Sequence, residues 1–124
     1  MTDESQAQAG RLMGLPAEEV PGVPGIEKRV VFGPGKHWED YVMRCFTLPS
    51  GGAVPMHSHD WPHYALILQG HGSLEENGRR TELTPMSWAY VPPRTEHSFQ
   101  AGADEPMVFI CIVPKEGDQP PQAR

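Results

Sequence analysis

Short apolar runs alternate with turn-forming residues along the middle of the chain, at a spacing of roughly ten residues. No segment repeats apolar residues at the period of a helix over several turns. The pattern therefore predicts an all-β sandwich or barrel. Asn77-Gly78 is the strongest hairpin signal, because both residues tolerate the positive φ of a type I′ turn. The predicted strands cover residues 28–32, 41–48, 53–57, 62–69, 72–76, 79–83, 87–91, 97–100 and 107–113.

Alternation within each predicted strand assigns its side chains to two faces. In strand 41–48, Arg44 shares a face with Phe46, and Cys45 lies on the opposite face. By the same rule, Val42 and Leu48 lie on the same face of that strand as Arg44. In strand 62–69, one face carries His63, Ala65 and Ile67, and in strand 107–113 one face carries Phe109, Cys111 and Val113. Apolar residues occupy both faces, so the outside of the barrel is expected to meet a second sheet or a partner. We expect a homodimer.

The chain has 124 residues, a length that fits one domain. Residues 1–25 are polar and then interrupted by Pro and Gly, which predicts a flexible amino-terminal arm with one helical turn near residues 11–15. We expect the barrel to cover residues 26–117 and a frayed tail to cover residues 118–124.

Charge and composition narrow the function classes. The formal net charge is −6 and no basic run occurs, which argues against a nucleic-acid partner. No apolar stretch is long enough to span a membrane, and the acidic start differs from a secretory signal, so a cytoplasmic location is expected. Cys45 and Cys111 lie in apolar runs and are expected to be buried free thiols.

The histidines carry the most specific chemical signal. His57 and His59 are two residues apart and point to one face of an extended segment, and a turn through Trp61-Pro62 brings His63 back beside them. A fourth, His97, follows Pro-rich turns. Each alone would fit an exposed or backbone-bonded histidine, but the set predicts a metal site. Two further histidines, at positions 37 and 71, are expected on the solvated surface.

The stretch from residue 51 to residue 97 resembles the two motifs of the cupin superfamily. The first motif is matched by Gly51, His57, His59, His63 and Gly70, with His63 where most cupins carry Glu, and the second is matched by Pro85, Pro92 and His97. Residues 57–63, 92–97 and 111–117 are similar to the small four-histidine manganese cupins of bacteria, except that Pro62 replaces an acidic residue. Those proteins are single-domain jelly rolls that form dimers and can cleave styrene-type alkenes with a peroxide. The resemblance implies a cupin-type jelly-roll β-barrel.

The resemblance also implies site residues. The metal ligands are His57, His59, His63 and His97, and the wall of a substrate pocket is formed by Arg44, Val54, Phe109, Cys111 and Val113. No catalytic residue beyond the metal centre is assigned. Arg44 either holds an anionic substrate group at the barrel mouth or pairs with a surface carboxylate. Asp60 and Glu96 are candidate acceptors for the ligand imidazoles, although solvated charges are the favoured role for both.

Four neutral imidazoles leave the full charge on a divalent metal, and an octahedral ion would keep two open positions for an oxidant or a substrate. Imidazole donors by themselves suit Zn, Cu, Fe or Ni, whereas manganese is what the resemblance implies. A closed structural zinc is the alternative, but such sites usually include Cys.

The functional hypothesis is a metal-dependent oxygenase, such as a dioxygenase, or a peroxide-using oxidoreductase that acts on a small, partly aromatic molecule. One alternative is a Lewis-acid lyase similar to the cupins that cleave cyanohydrins, the hydroxynitrile lyases. The other is a non-catalytic cupin that binds a metal or a small ligand.

Overall fold

The computed structural model describes residues 6–119, which fold into strands joined by short turns. The strands are β1 (Glu18–Glu19), β2 (Glu27–Phe32), β3 (Tyr41–Leu48), β4 (His63–Gln69), β5 (Gly72–Glu76), β6 (Arg79–Leu83), β7 (Trp88–Val91), β8 (His97–Ala101) and β9 (Met107–Pro114). Single 3₁₀ turns cover Leu12–Gly14 and Lys115–Gly117, and the first of these lies in the predicted arm at the place of the expected helical turn. The all-β prediction is confirmed.

The strands form two antiparallel sheets. The larger sheet has the order β1-β2-β3-β9-β4-β7, and the smaller sheet has the order β6-β5-β8. The centre of the larger sheet joins strands that are distant in sequence, since β9 lies between β3 and β4. This jelly-roll arrangement encloses one main apolar core between the sheets.

The predicted face assignments are confirmed on the three central strands of the larger sheet. Val42, Ala65 and Phe109 belong to the main core, together with their same-face neighbours Leu48, Ile67, Cys111 and Val113. Cys45 lies on the opposite face, in a second apolar cluster with Val108 and Ile110. Both cysteines are buried free thiols, as expected.

Two backbone positions show why glycine is required at the strand connections. Asn77 and Gly78 have φ of 50° and 75°, so the predicted hairpin closes between Glu76 and Arg79. Gly70 has φ of 77°, and a Cβ there would collide with the carbonyl oxygen of Pro106. No L side chain fits that approach, so Gly70 allows the chain to pass β9 closely.

The predicted strand 53–57 is wrong. Only isolated bridges join Ala53 to Gln100 and His57 to His97, so the segment runs beside β8 without forming a ladder. Pro55 explains the interruption, because it has no N–H to donate between the bonds that Val54 and His57 make to β8.

The barrel also includes residues that the sequence pattern placed in the arm. The short strand β1 pairs with β2, and Val20 and Val23 are buried in the main core. The core therefore continues on the amino-terminal side of residue 26. Between residues 6 and 119, no helix has the length and apolar character that a membrane crossing demands.

Candidate metal centre and cavity

Four histidines converge at one end of the barrel. His57 and His97 face each other across a backbone bridge, and His63 is the first residue of β4. His59 lies in the connection between His57 and β4. One ring nitrogen from each of the four lies within 4.8 Å of the others. The structure therefore brings together all four residues that the sequence pattern singled out.

Each ring is held in orientation through its Nδ1 atom. The Nδ1 atoms of His57, His59 and His97 lie 2.7, 2.8 and 2.8 Å from the backbone carbonyl oxygens of residues 55, 61 and 95. The Nδ1 atom of His63 lies 2.8 Å from Sγ of Cys111. Donation from Nδ1 fixes the tautomer that leaves the Nε2 lone pair free, which is the arrangement of metal-binding imidazoles.

Three of the four Nδ1 atoms donate to main-chain carbonyl oxygens, and none donates to the carboxylate of Asp60 or Glu96. Both carboxylates are exposed, in agreement with their favoured role as solvated charges. A sequence pattern cannot identify carbonyl acceptors, because every residue carries one.

The Nε2 atoms are grouped so that a shared cation would satisfy them. Those of His59 and His63 are 2.5 Å apart, and facing lone pairs repel each other unless a positive charge lies between them. The Nε2 atom of His97 is buried and makes no hydrogen bond to any described residue. A buried acceptor without a partner is costly, and a bound metal ion would satisfy it.

The surroundings keep the four imidazoles neutral, which is the form that ligates. Burial lowers the pKa of His97 to about 4. Burial, together with the nearby Arg44 guanidinium, holds the pKa of His63 far below its ordinary value. Burial also lowers the pKa of His57 and of His59. The centre therefore offers lone pairs rather than protons at neutral pH.

An aromatic contact supports His59 from outside the cluster. The ring of Trp61 stacks on His59 with centroids 4.8 Å apart and planes 2° from parallel. Gly117 lies close to the indole of Trp61, and a Cβ there would approach Nε1 to 2.5 Å. The turn after β9 therefore holds the indole of Trp61 in place, and this indole in turn supports the ring of His59.

The histidines form the floor of a cavity of about 160 Å³. Of the predicted wall residues, Arg44, Val54, Phe109 and Cys111 line the cavity. Val113 does not line it: this side chain shares the face of Phe109 and Cys111 but is fully buried in the core, opposite Val42 on β3. Alternation identified its face correctly, but the pocket position that the resemblance implied for Val113 is wrong.

Several lining residues come from segments that the sequence pattern left outside the barrel. Glu18, Glu19 and Val20 border the cavity from the predicted arm, and Asp118 borders it from the predicted tail. Lys28, from a strand that the pattern predicted, also lines it. Asp118 follows the last strand, where alternation carries no information about side-chain direction.

Arg44 is 4% exposed and contacts both the cavity wall and a carboxylate. It donates a hydrogen bond of 3.2 Å to Sγ of Cys111, and its Nη1 lies 3.6 Å from Oδ1 of Asp118. Its guanidinium lies over the ring of Phe46, 4.9 Å from the centroid. Burial raises the pKa of the Cys111 thiol, which keeps this sulfur protonated.

Comparison with known proteins agrees with this architecture. Residues 44–113, more than half of the chain, match the family described as "Cupin domain". A polyketide cyclase from Streptomyces resistomycificus superimposes with a TM-score of 0.80 at 23% identity, over 89% of this chain and 80% of that chain. A cupin-2 domain protein from Rhodospirillum rubrum superimposes with a TM-score of 0.77 at 27% identity, over 96% and 80% of the respective chains.

Two curated proteins share sequence with parts of this chain. The 1-methylthio-D-xylulose 5-phosphate methylsulfurylase of Rhodospirillum rubrum is 31% identical over 78 residues, which is 63% of this chain and 50% of that protein. An uncharacterized HTH-type transcriptional regulator of Bacillus subtilis, YobQ, is 36% identical over 54 residues, or 43% of this chain and 22% of that protein. The chain thus spans half or less of the curated relatives. With the family match, the jelly roll and the four-histidine cluster together, this chain belongs to the cupin family.

Proposed function

We propose that this protein is a metal-dependent cupin oxidoreductase, in the oxygenase class, that acts on a small and partly aromatic molecule. One observation carries the proposal: four neutral imidazoles direct their Nε2 atoms together at the floor of a largely apolar cavity. A structural site would have no use for a cavity above it. We propose manganese as the metal, with Fe, Cu, Ni and Zn as alternatives.

When bound, a divalent metal with four imidazole ligands would supply a Lewis-acidic and redox-capable centre with room for an oxidant. The residues of this chain supply the rest. The Nδ1 contacts hold the ligand rings in place before metal arrives, which lowers the cost of ordering them. Val54, Phe99 and Phe109 line the cavity and offer an apolar surface to the substrate.

The substrate class follows from the size and the lining of the cavity. A dry apolar cavity of roughly 150 Å³ accommodates benzene, so the volume here suits a single-ring molecule. Phe99 and Phe109 stack with centroids 5.2 Å apart along one wall, where they favour a flat partner. The methylsulfurylase relative acts, by its name, on a small sugar phosphate, which supports a small-molecule substrate.

The test measures metal and turnover on the same preparations. Elemental analysis of the purified protein is expected to find one transition metal per chain. The manganese-loaded protein is then expected to consume dioxygen or peroxide with a hydroxystyrene and to release the cleaved aldehyde. His97→Gln is expected to lose both metal and turnover.

Free manganese at the same concentration is the control for turnover. Full metal occupancy without product above that control would refute the oxygenase proposal, and would favour Lewis-acid lyase chemistry or a non-catalytic metal-binding role.

A further inference from the structure

We propose that the substrate of this site carries a carboxylate, which binds to Arg44 and Lys28 in the place now held by the side chain of Asp118. The inference rests on the proposed function, because it concerns the other end of the same cavity. It narrows the substrate class from a small aromatic molecule to a small aromatic acid.

The first observation is that the buried guanidinium of Arg44 has N–H donors without partners among the described residues. The guanidinium carries five N–H donors but makes one hydrogen bond to the part of the chain that the structure describes, to Sγ of Cys111, and only 4% of the residue is exposed. Its Nε atom is buried and has no partner among residues 6–119. A buried cation with free donors is strongly destabilising unless an anion completes its contacts. A planar group with two oxygen atoms fits the guanidinium in a bidentate geometry.

The second observation is the carboxylate already present. Oδ1 of Asp118 lies 2.7 Å from Nζ of Lys28 and 3.6 Å from Nη1 of Arg44. The same oxygen accepts no hydrogen bond of good geometry from the described residues. Asp118 thus shows that a carboxylate fits between the two cations, and also that this carboxylate is held loosely at the arginine.

The third observation is the position of the cations relative to the histidines. Arg44 and His63 both contact Sγ of Cys111, at 3.2 and 2.8 Å, so one sulfur atom separates the cation from the histidine cluster. The ring of Phe46 lies beneath the guanidinium. An acid bound at Arg44 would therefore place its apolar part along the aromatic wall and towards the histidine floor.

The surrounding charges allow an anion here. Glu18 and Glu19 also border the cavity, but both are exposed, so solvent screens their charges. Lys28 and Arg44 are more buried, with side-chain exposures of 17% and 4%. Opposite charges interact more strongly at the less hydrated position, so the buried cations dominate the potential felt by a bound group.

The test compares ligands that differ in charge but not in shape. Benzoate and benzamide are titrated against the metal-free and the manganese-loaded protein, with the heat of binding as the readout. Benzoate is expected to bind at least about tenfold more tightly than benzamide in both forms, since hydrogen bonds to charged groups contribute more than neutral ones. Arg44→Gln is expected to remove this preference.

Asp118→Asn is the second variant, and it tests the proposal even if Arg44→Gln fails to fold. It removes the resident competitor without a change of shape, so the affinity for benzoate is expected to rise about tenfold while the affinity for benzamide stays constant. Arg80→Gln, an exposed arginine of the smaller sheet, is the matched control and is expected to change neither affinity.

Equal binding of benzoate and benzamide, no gain in Asp118→Asn, or tighter binding of phenyl phosphate than of benzoate would each overturn the carboxylate subsite. Metal content separates this proposal from the preceding one. Full occupancy without a preference for the acid would refute the subsite alone. A preference that depends on Arg44 in a protein that never takes up metal would uphold the subsite and refute the metal-dependent function.

Discussion

The metal-free protein is expected to lose stability as the pH falls from neutral to about 5, because the histidine cluster resists protonation. The unfolded chain takes up a proton at each imidazole near the ordinary pKa of about 6.5. In the folded chain His97, which is 0% exposed, takes up its proton only near pH 4, since burial lowers its pKa to about 4. Over this interval the unfolded state binds more protons than the folded state.

The sign and the size of the effect follow from that difference. Where the unfolded state binds more protons, the free energy of unfolding decreases as the pH falls. One pKa unit corresponds to about 1.4 kcal/mol, so His97 alone is expected to remove about 2 kcal/mol between pH 7.5 and pH 5, and roughly 3 kcal/mol once the pH is below 4. The lowered pKa values of the other three ligands act in the same direction.

Urea unfolding of chelator-treated protein at pH 7.5 and pH 5, followed by circular dichroism, measures this change. The interval stops at pH 5 to limit the contribution of the carboxylates. His97→Gln is the control, and its loss of stability over the same interval is expected to be smaller by about 2 kcal/mol. Equal losses in the two proteins would refute the claim that His97 is buried as a neutral ring.

Two further predictions concern contacts outside the cluster. Gly117→Ala is expected to displace the indole of Trp61 and so to loosen the ring of His59. The affinity for manganese should then fall about tenfold, as it typically does when a residue that supports a metal ligand is lost. Competition with a chelator measures this affinity, and an unchanged value would contradict the supporting role of Trp61. A patch of exposed apolar side chains covers the outer end of the larger sheet, and we propose it as the contact of a homodimer; it consists of Tyr64, Leu66, Met86, Trp88 and Tyr90. Trp88→Glu is expected to convert the dimer to a monomer, and light scattering measures the mass. An unchanged mass would place the contact elsewhere.

The residue pattern predicts the parts of this site that depend on alternation. Period two is sufficient to place Arg44 with Phe46, and Phe109 with Cys111, on one face of their strands, whereas the resemblance is what implied that this face lines the pocket. The histidine spacing is equally informative, since three of the four ligands follow one another closely in sequence. The sequence pattern does not predict the register between strands that are distant in sequence. Nothing in it shows that Cys111 of β9 lies beside His63 of β4 rather than one residue pair further along.

The elements that the pattern missed share another cause. Strand β1 has two acidic residues and no apolar alternation, and its existence depends on pairing with β2. Asp118 lies beyond the last strand and is held by cations from β2 and β3. Such contacts are tertiary, and local propensity does not encode them.

Main-chain oxygens anchor three of the four imidazoles, and no side-chain substitution can delete a main-chain oxygen. The lining of the cavity can therefore diverge widely among descendants of this barrel while these rings keep their aim. His63 is the exception, because its anchor is the thiol of Cys111. Among the four Nδ1 anchors, the one at position 111 is therefore the one that a side-chain substitution can change.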